Sequence, residues 1–564
     1  MPSSWRSASL LLFVLFALQR ALCAPAENQS AAASGPTPPP DLHRIIISDT
    51  KDNAVQLARN AAPSDRVRSS LPLLQGRALA AALAPFVGAA MDRPRWRELG
   101  EAVATFVRQR DFPVVHVHIP DISGENLPAG TACLIVTLGR YSAIAADGLR
   151  FSSRESMLGE LGIATGDEVR LSQLGAAVDW LNTNPFRSAE STLRDTGEGW
   201  TRLELSLQEQ RPYRAVAVYD NHGTVYTGRS RYTAALHAGD LWRARHQLYY
   251  EFTRTKDPQH YQSHALDYRV PLPWRGYFIV EAAYSAVRPE LAGSNYTSKG
   301  RNFVGSLRHV LHHRLGTWSG ALSTGLGFKA IRNDLAFGGA PYLVDGHPFQ
   351  NFHVHQLSLS ETVRRYDARG SWWFSFAAHL SPGGVDSRNG NMAFARSRTG
   401  AVARYGYATL VAQRLTTLPH ALQLYTRALS QASTGRLLAS EQMWLGGAAT
   451  LRGYPERAYP GDAAWAITQE LRSPAWSYPA RLLGAEHACQ LQVLSFLDAG
   501  RSYARHATDS DTREPVLLSA GAGLRGRVGQ YFDVTFDYGW PLRRSANLTS
   551  APGGRGQVQA RLFF

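Results

Sequence analysis

From Pro212 to Phe564 apolar and polar residues keep exchanging sides. In WRARHQLYYEFT, Trp242, Ala244, Leu248, Tyr250 and Phe252 share one face, with His246 the exception, while Arg243, Arg245, Gln247 and Glu251 share the other. The last segment alternates alike: Val558, Ala560, Leu562 and Phe564 oppose Gln557, Gln559 and Arg561. A period of two belongs to an extended strand, whose successive side chains point to opposite faces. Beyond the N-terminal segment there is no run of about 18 apolar residues, so no transmembrane helix is predicted. The only other structure that satisfies every backbone group in lipid is a closed β-barrel, apolar outside and polar within.

Sixteen candidate strands can be marked, from 212–219 through 243–254, 300–312, 318–331, 464–473 and 489–499 to 556–564, an even number that suits an antiparallel single-chain barrel. Short connections such as AGDL, PLP, HHRLG, DARG, TLPH and RVGQY alternate with longer ones at 287–299, 332–350, 382–399 and 500–514; the connection at 474–488 is longer than its short peers. Aromatic clusters at strand ends (Trp274, Tyr277 and Phe278; Trp372, Trp373 and Phe374) suit membrane-interface girdles, and a terminal Phe564 suits the last strand of a barrel. A large soluble β protein would also alternate, but its apolar faces would turn inward.

The N-terminus reads as an export signal over residues 1–24. Arg6 precedes the apolar run Leu10 to Leu18, which is too short to span a bilayer, and small residues follow at Ala21, Cys23 and Ala24. An Ala/Ser/Pro-rich stretch ending in PTPPP opens a linker assigned to 25–65. Two β-α-α-β-β patterns are then expected, at 66–140 and 141–210, before the barrel at 211–564. In the first, Trp96, Leu99, Val103, Phe106 and Val107 form a helical stripe, and VVHVHIP and CLIVTL are strands; in the second, Leu171, Leu174, Val178 and Leu181 form the stripe. Three cysteines, Cys23, Cys133 and Cys489, make no disulfide framework. Net charge is +15 and almost wholly arginine, the lysines being Lys51, Lys256, Lys299 and Lys329. No long basic run accompanies it, so nucleic acid is not expected as a partner.

One loop stands apart. LGGAATLRGYPERAYPGD, Leu445 to Asp462, is too polar for a core and too aperiodic for a helix. It joins the eleventh candidate strand to the twelfth and is long enough to fold back into a barrel. Its LRGY, together with FLDAG (Phe496 to Gly500), resembles the signature of the outer-membrane superfamily that contains the barrel-assembly proteins and the two-partner secretion transporters. The resemblance implies that Arg452 pairs with Asp498 inside the barrel, supported by Gly453, Tyr454, Phe496 and Gly500. Alternation agrees, since Asp498 shares a face with Gln490 and Gln492, opposite Leu491, Val493 and Leu497.

Two small α+β units before sixteen strands are similar to the polypeptide-transport-associated (POTRA) domains and barrel of two-partner secretion transporters of the haemolysin/haemagglutinin exporter type. YDNHGTVYTGRSR also looks like their first hairpin. This resemblance implies a bacterial outer-membrane channel, with POTRA domains in the periplasm, that secretes an unfolded partner exoprotein. Its partners would be that polypeptide, outer-membrane lipid and, during biogenesis, the barrel-assembly machinery. A strand edge in the POTRA units, with Val114, Val115, Val117 and Ile119, is the candidate for substrate capture by strand addition. The alternatives are a factor that inserts other barrels and a passive porin; two periplasmic domains and an Arg452 loop give a porin no use.

GAGLRG, Gly521 to Gly526, matches a dinucleotide fingerprint by letters but sits in a strand pattern with no helix after it. The pairs His116/His118, His312/His313 and His353/His355 lack a third ligand at recognisable spacing. No nucleophile elbow, zincin motif or phosphate loop occurs, so neither enzyme activity, metal nor cofactor is expected.

Overall fold

The computed structural model describes residues 41–564, apart from 63, 123, 198, 292–294, 345, 349, 483–484, 508–515 and 544–552. The export signal and residues 25–40 of the expected linker lie outside the described residues. The chain divides into two compact units, meeting at Gln210 and Arg211.

The linker does not reach 65. Arg44–Ser48 is a strand and Lys51–Arg59 a helix capped by Thr50, whose Oγ1 accepts from the Asn53 N–H at 3.3 Å. The strand pairs in parallel with Val67–Ser69 on one side and Thr131–Leu138 on the other. Ile45 and Ile47 pack into one core with Leu99, Val103 and Val107 of the helix Arg93–Arg108, while Ile46 packs with Ala54, Ala58 and Cys133 on the opposite face. A strand covered on both faces needs no alternation, which is why RIIIS carried no period to read. Among the described residues Val115–His118 pairs only with Thr131–Leu138 and so ends the four-stranded sheet.

The second α+β part follows the expected order. Arg140–Asp147 and Arg187–Gly197 flank Trp200–Glu209, with helices Arg154–Leu161 and Leu171–Leu181. Leu174 and Leu181 are in its core and Val178 packs against it, but Leu171, the first helical residue, is exposed. Arg187 and Glu160 form a buried ion pair, Nη2 to Oε2 2.6 Å.

The second unit is a closed barrel of sixteen antiparallel strands. Strand sixteen, Arg555–Phe563, pairs with strand one, Tyr213–Asp220, from Phe563 opposite Val216 to Gln559 opposite Asp220. Exposure is inverted relative to a soluble protein: Leu326, Leu357 and Leu497 are 59, 51 and 47 % exposed, while Gln247, Gln356 and Ser519 are 3, 7 and 0 % exposed. The apolar faces point out and the polar ones in. The same alternation divides the expected girdles. Trp274, Phe278 and Trp372 are exposed, and Trp372 stacks on Phe374 at 5.5 Å, but Tyr277 is buried on the inner face and Trp373, between Trp372 and Phe374, turns inward.

Several boundaries moved. The stretch Trp242–Arg245 is a turn and strand three begins at His246; Trp242, Arg243 and Arg245 take φ of 61, 54 and 61°, left-handed values that a strand cannot use. Strands six and seven, Tyr296–Leu315 and Trp318–Phe337, run well beyond the candidate ranges, while strand eight, Gln350–Asp367, matches the expected 351–366 closely, so the loops shrink to 288–295 and 338–349. The connection after strand twelve, Ala463–Arg472, is itself a hairpin. Trp476–Leu482 continues that strand after a bulge at 473–475 and pairs with the start of strand thirteen, Ala485–Tyr503. GAGLRG lies within strand fourteen, Leu517–Val528; a Cβ on Gly521 would meet the Phe496 ring at 2.3 Å and one on Gly523 the Asp537 carboxylate at 2.0 Å.

Candidate functional site

Residues 434–462 connect strand eleven, Gln423–Ser433, to strand twelve. Met443–Leu445 pairs with Tyr459–Gly461, so the chain goes in and returns as a hairpin whose tip holds Arg452. Leu445, Leu451, Tyr454 and Tyr459 are fully buried and pack with Leu429, Ala464, Ala466 and Leu517 of the wall. The strand side chains that face the tip, Asp498, Glu470, Asp537 and Gln557, have the parity opposite to the lipid-facing Leu497, Ile467, Phe536 and Leu562, so the segment lies in the bore.

Arg452 is 4 % exposed and Asp498 0 %. The Arg452 Nε and Nη2 donate to Asp498 Oδ2 and Oδ1, both at 2.9 Å, and its backbone N–H donates to Oδ2 at 3.1 Å. Nη1 donates to Glu470 Oε1 at 2.6 Å and lies 3.7 Å from Asp537 Oδ1. The guanidinium carbon sits 3.5 Å from the centroid of the Phe496 ring. Glu470 also takes two hydrogen bonds from Arg472, and Asp537 a bidentate pair from Arg525. Arg452 of the hairpin thus joins Arg472, Arg525 and three carboxylates on strands twelve to fifteen in a charge-balanced network. Burial alone would push the Arg452 pKa down; the Asp498 hydrogen bonds and the Asp498, Glu470 and Asp537 charges outweigh it and hold the pKa above the usual arginine value.

The glycines are steric. Gly453 has φ of 90°, and a Cβ on it would stand 2.8 Å from the backbone of Gly539 in strand fifteen, Phe532–Pro541. A Cβ on Gly500 would meet the Trp465 carbonyl at 2.8 Å. The Tyr454 hydroxyl accepts from the Leu518 N–H at 3.1 Å and lies within donating distance of the Leu518 and Arg543 carbonyls. Of the six predicted residues, Arg452, Asp498 and Phe496 meet directly, Gly453 passes Gly539, Tyr454 anchors to the wall at Leu518, and Gly500 packs against strand twelve. Glu470, Asp537 and Gly539 were not singled out beforehand. Glu470 and Asp537 were readable as inward by alternation, Glu470 sharing a face with Thr468 and Arg472 and Asp537 lying opposite Phe536 and Tyr538; their partnership with Arg452, and the close approach at Gly539, carried no signal.

The root of the loop is also held. Asp462, fully buried, accepts from the Leu437 N–H, the Gln442 amide and the Arg505 N–H and pairs with Arg398, which lies just after the short helix Asn391–Ser397. Phe394 of that helix packs with Leu437 and Leu438. Glu441 takes hydrogen bonds from Lys329 at 2.7 Å, Gln356 at 2.7 Å and Tyr407 at 3.0 Å.

The other predicted residues lie elsewhere. Phe564 exchanges backbone hydrogen bonds with Ala215 at the seam between the last and first strands. Val115 is buried in the first core, Val117 and Ile119 pack against it, and Val114 packs toward the second core instead. Only Val115 and Val117 are in the strand, and their side chains serve the fold; the backbone edge and the exposed His118 are what this strand offers a partner.

The family model of the haemolysin secretion/activation proteins ShlB/FhaC/HecB matches residues 199–526. The chain belongs to that family. The outer membrane transporter CdiB of Escherichia coli O6:K15:H31 is 24 % identical over 438 residues, 75 % of this chain and 69 % of that protein. The solved CdiB structures share the fold. That from Escherichia coli has a TM-score of 0.73 at 18 % identity, covering 98 % of this chain and 96 % of its own; that from Acinetobacter baumannii has 0.67 at 15 %, covering 98 % and 97 %. The protein is a two-partner secretion transporter of the outer membrane, of a family of transporters rather than enzymes, with POTRA domains in the periplasm. Strand one therefore starts at the periplasmic face, and the loops after odd-numbered strands, 434–462 among them, start outside.

Proposed function

We propose that this transporter exports one large partner exoprotein as an unfolded chain, and that the Arg452 hairpin is the movable plug of its path. The observation that carries the reading is a buried arginine inside a polar bore, held by carboxylates on separate strands. Such a pair pins a long loop firmly yet reversibly, because its strength depends on both partners staying together. The edge strand Val115–His118 is open on one side and fits an extended substrate segment added as a further strand. The bore moves the chain without covalent chemistry, and folding outside the cell draws it forward. The last strand, whose Phe564 pairs with Ala215 at the seam, is the segment that the barrel-assembly machinery would read. Neither nucleic acid nor a cofactor enters this scheme.

Comparing surface and medium proteomes of a deletion strain tests the reading. Loss of a single exoprotein supports a dedicated exporter; depletion of several outer-membrane proteins would instead assign the chain to barrel insertion. A photo-crosslinker at His118 should capture the exoprotein during export, whereas one at the exposed helical Arg97 should not.

A further inference from the structure

His353 and His355 are two residues apart on strand eight, so both imidazoles stand on one face. That face is the outer one, continuous with the exposed Leu357 and Leu359. Strand nine, Gly370–Ser381, pairs with strand eight only as far as Leu380 opposite Leu357, which leaves the upper edge of strand eight free. The extracellular loop 382–404 fills that edge. The His353 N–H donates to the Arg388 carbonyl at 3.0 Å, and the buried Asn389 donates to the His353 carbonyl at 2.9 Å. The loop turn is fixed in its own right, with the Arg388 N–H donating to Asp386 Oδ1 at 2.7 Å. The remaining oxygen, Oδ2, is thereby aimed at both rings, 2.9 Å from His353 Nδ1 and 2.8 Å from His355 Nε2. Phe328 backs the two imidazoles, its centroid 5.3 and 5.1 Å from theirs.

We propose that His353, His355 and Asp386 form a site for a divalent transition-metal ion, zinc being the probe of choice, at the extracellular rim of the barrel. The three ligand atoms lie within 4.8 Å of one another, and each side chain is partly open to solvent, 22, 27 and 35 % exposed. Ligands at about 2.0–2.2 Å from a tetrahedral ion stand roughly 3.3 Å apart, and the Asp386 oxygen, at 2.9 and 2.8 Å from the two imidazole nitrogens, is already close to that spacing from each. Two imidazoles and one carboxylate suit zinc, copper or nickel, whereas calcium and magnesium favour all-oxygen shells. The open side leaves room for a water or an outside ligand as the fourth donor. The ion would tie loop 382–404 to the barrel wall. That loop also carries Phe394 and Arg398, which hold the root of the Arg452 segment.

The test uses the full chain, purified without a histidine tag in detergent, and zinc chloride titrated against a chromophoric chelator. The wild type should bind one zinc ion that Asp386→Asn and His355→Ala bind at least about tenfold more weakly, while His260→Ala, at a separate loop, keeps wild-type affinity. Unchanged heat-modifiable migration on gels shows that the variants remain folded barrels. Cobalt substitution should give the visible bands of a four-coordinate site in the wild type only. Equal zinc affinity in the wild type and Asp386→Asn, or a wild type that takes up no zinc at micromolar concentration, would overturn the proposal.

Discussion

Asp498→Ala removes a carboxylate that takes three hydrogen bonds from Arg452, two of them from the guanidinium. Taking one partner from a buried ion pair costs roughly 3–5 kcal/mol, because the other charge stays desolvated. Glu470 still holds Nη1 at 2.6 Å, which places the expected cost at the low end, about 3 kcal/mol, or roughly a hundredfold shift toward the undocked hairpin. Arg452→Ala should cost more, since it strips the guanidinium from a carboxylate with no exposed surface. The double variant should cost less than the sum of the two. The assay is single-channel recording in planar bilayers beside measurement of secreted exoprotein. Asp498→Ala should spend far more time in a high-conductance state, and secrete less, while still inserting as a heat-modifiable barrel. Wild-type conductance together with wild-type secretion would refute the reasoning.

Gly539→Ala should mimic that variant without touching a charge, because its Cβ would stand 2.7 Å from the backbone of Arg452 and Gly453; wild-type conductance would contradict the steric reading. In the second α+β part, burial would raise the Glu209 pKa, but the N–H groups of Phe151, Ser152 and Arg150 outweigh it and leave it lowered. A lowered carboxylate stabilises the fold fully above its unfolded pKa, about 4.3, and loses that contribution as pH falls through the folded value. Glu209→Gln should therefore speed hydrogen exchange in this part by an amount worth about 1 kcal/mol at neutral pH, with the difference from wild type fading below about pH 4; a difference that grows on acidification would be the contrary result.

How much was legible follows from which solvent enforced the pattern. Lipid outside and water inside impose a period of two, so the barrel, its strand number and the inward side of Asp498 could be read from Val493, Leu497 and their neighbours. Above the membrane both faces of a strand are wet, the constraint lapses, and strands six and seven ran on unnoticed. Arg44–Ser48 was lost for the opposite reason: both faces are dry, and three isoleucines after a proline-rich stretch carry no period. Long-range partners were visible only where a motif marked them. Asp498 was marked by FLDAG; Asp537 and Asp386 reach their sites through strand register and a loop turn, neither of which spacing encodes.

The claim on which the transport reading depends is that the Arg452 hairpin must leave the bore for cargo to pass. Glu456 on the hairpin accepts from Gln557 of strand sixteen at 3.0 Å, so Glu456→Cys with Gln557→Cys places two thiols where a short reducible cross-linker can fix the hairpin to the wall. Secretion of the exoprotein should stop on cross-linking and resume on reduction, with single-cysteine controls unaffected. Undiminished secretion through a cross-linked barrel would contradict the account.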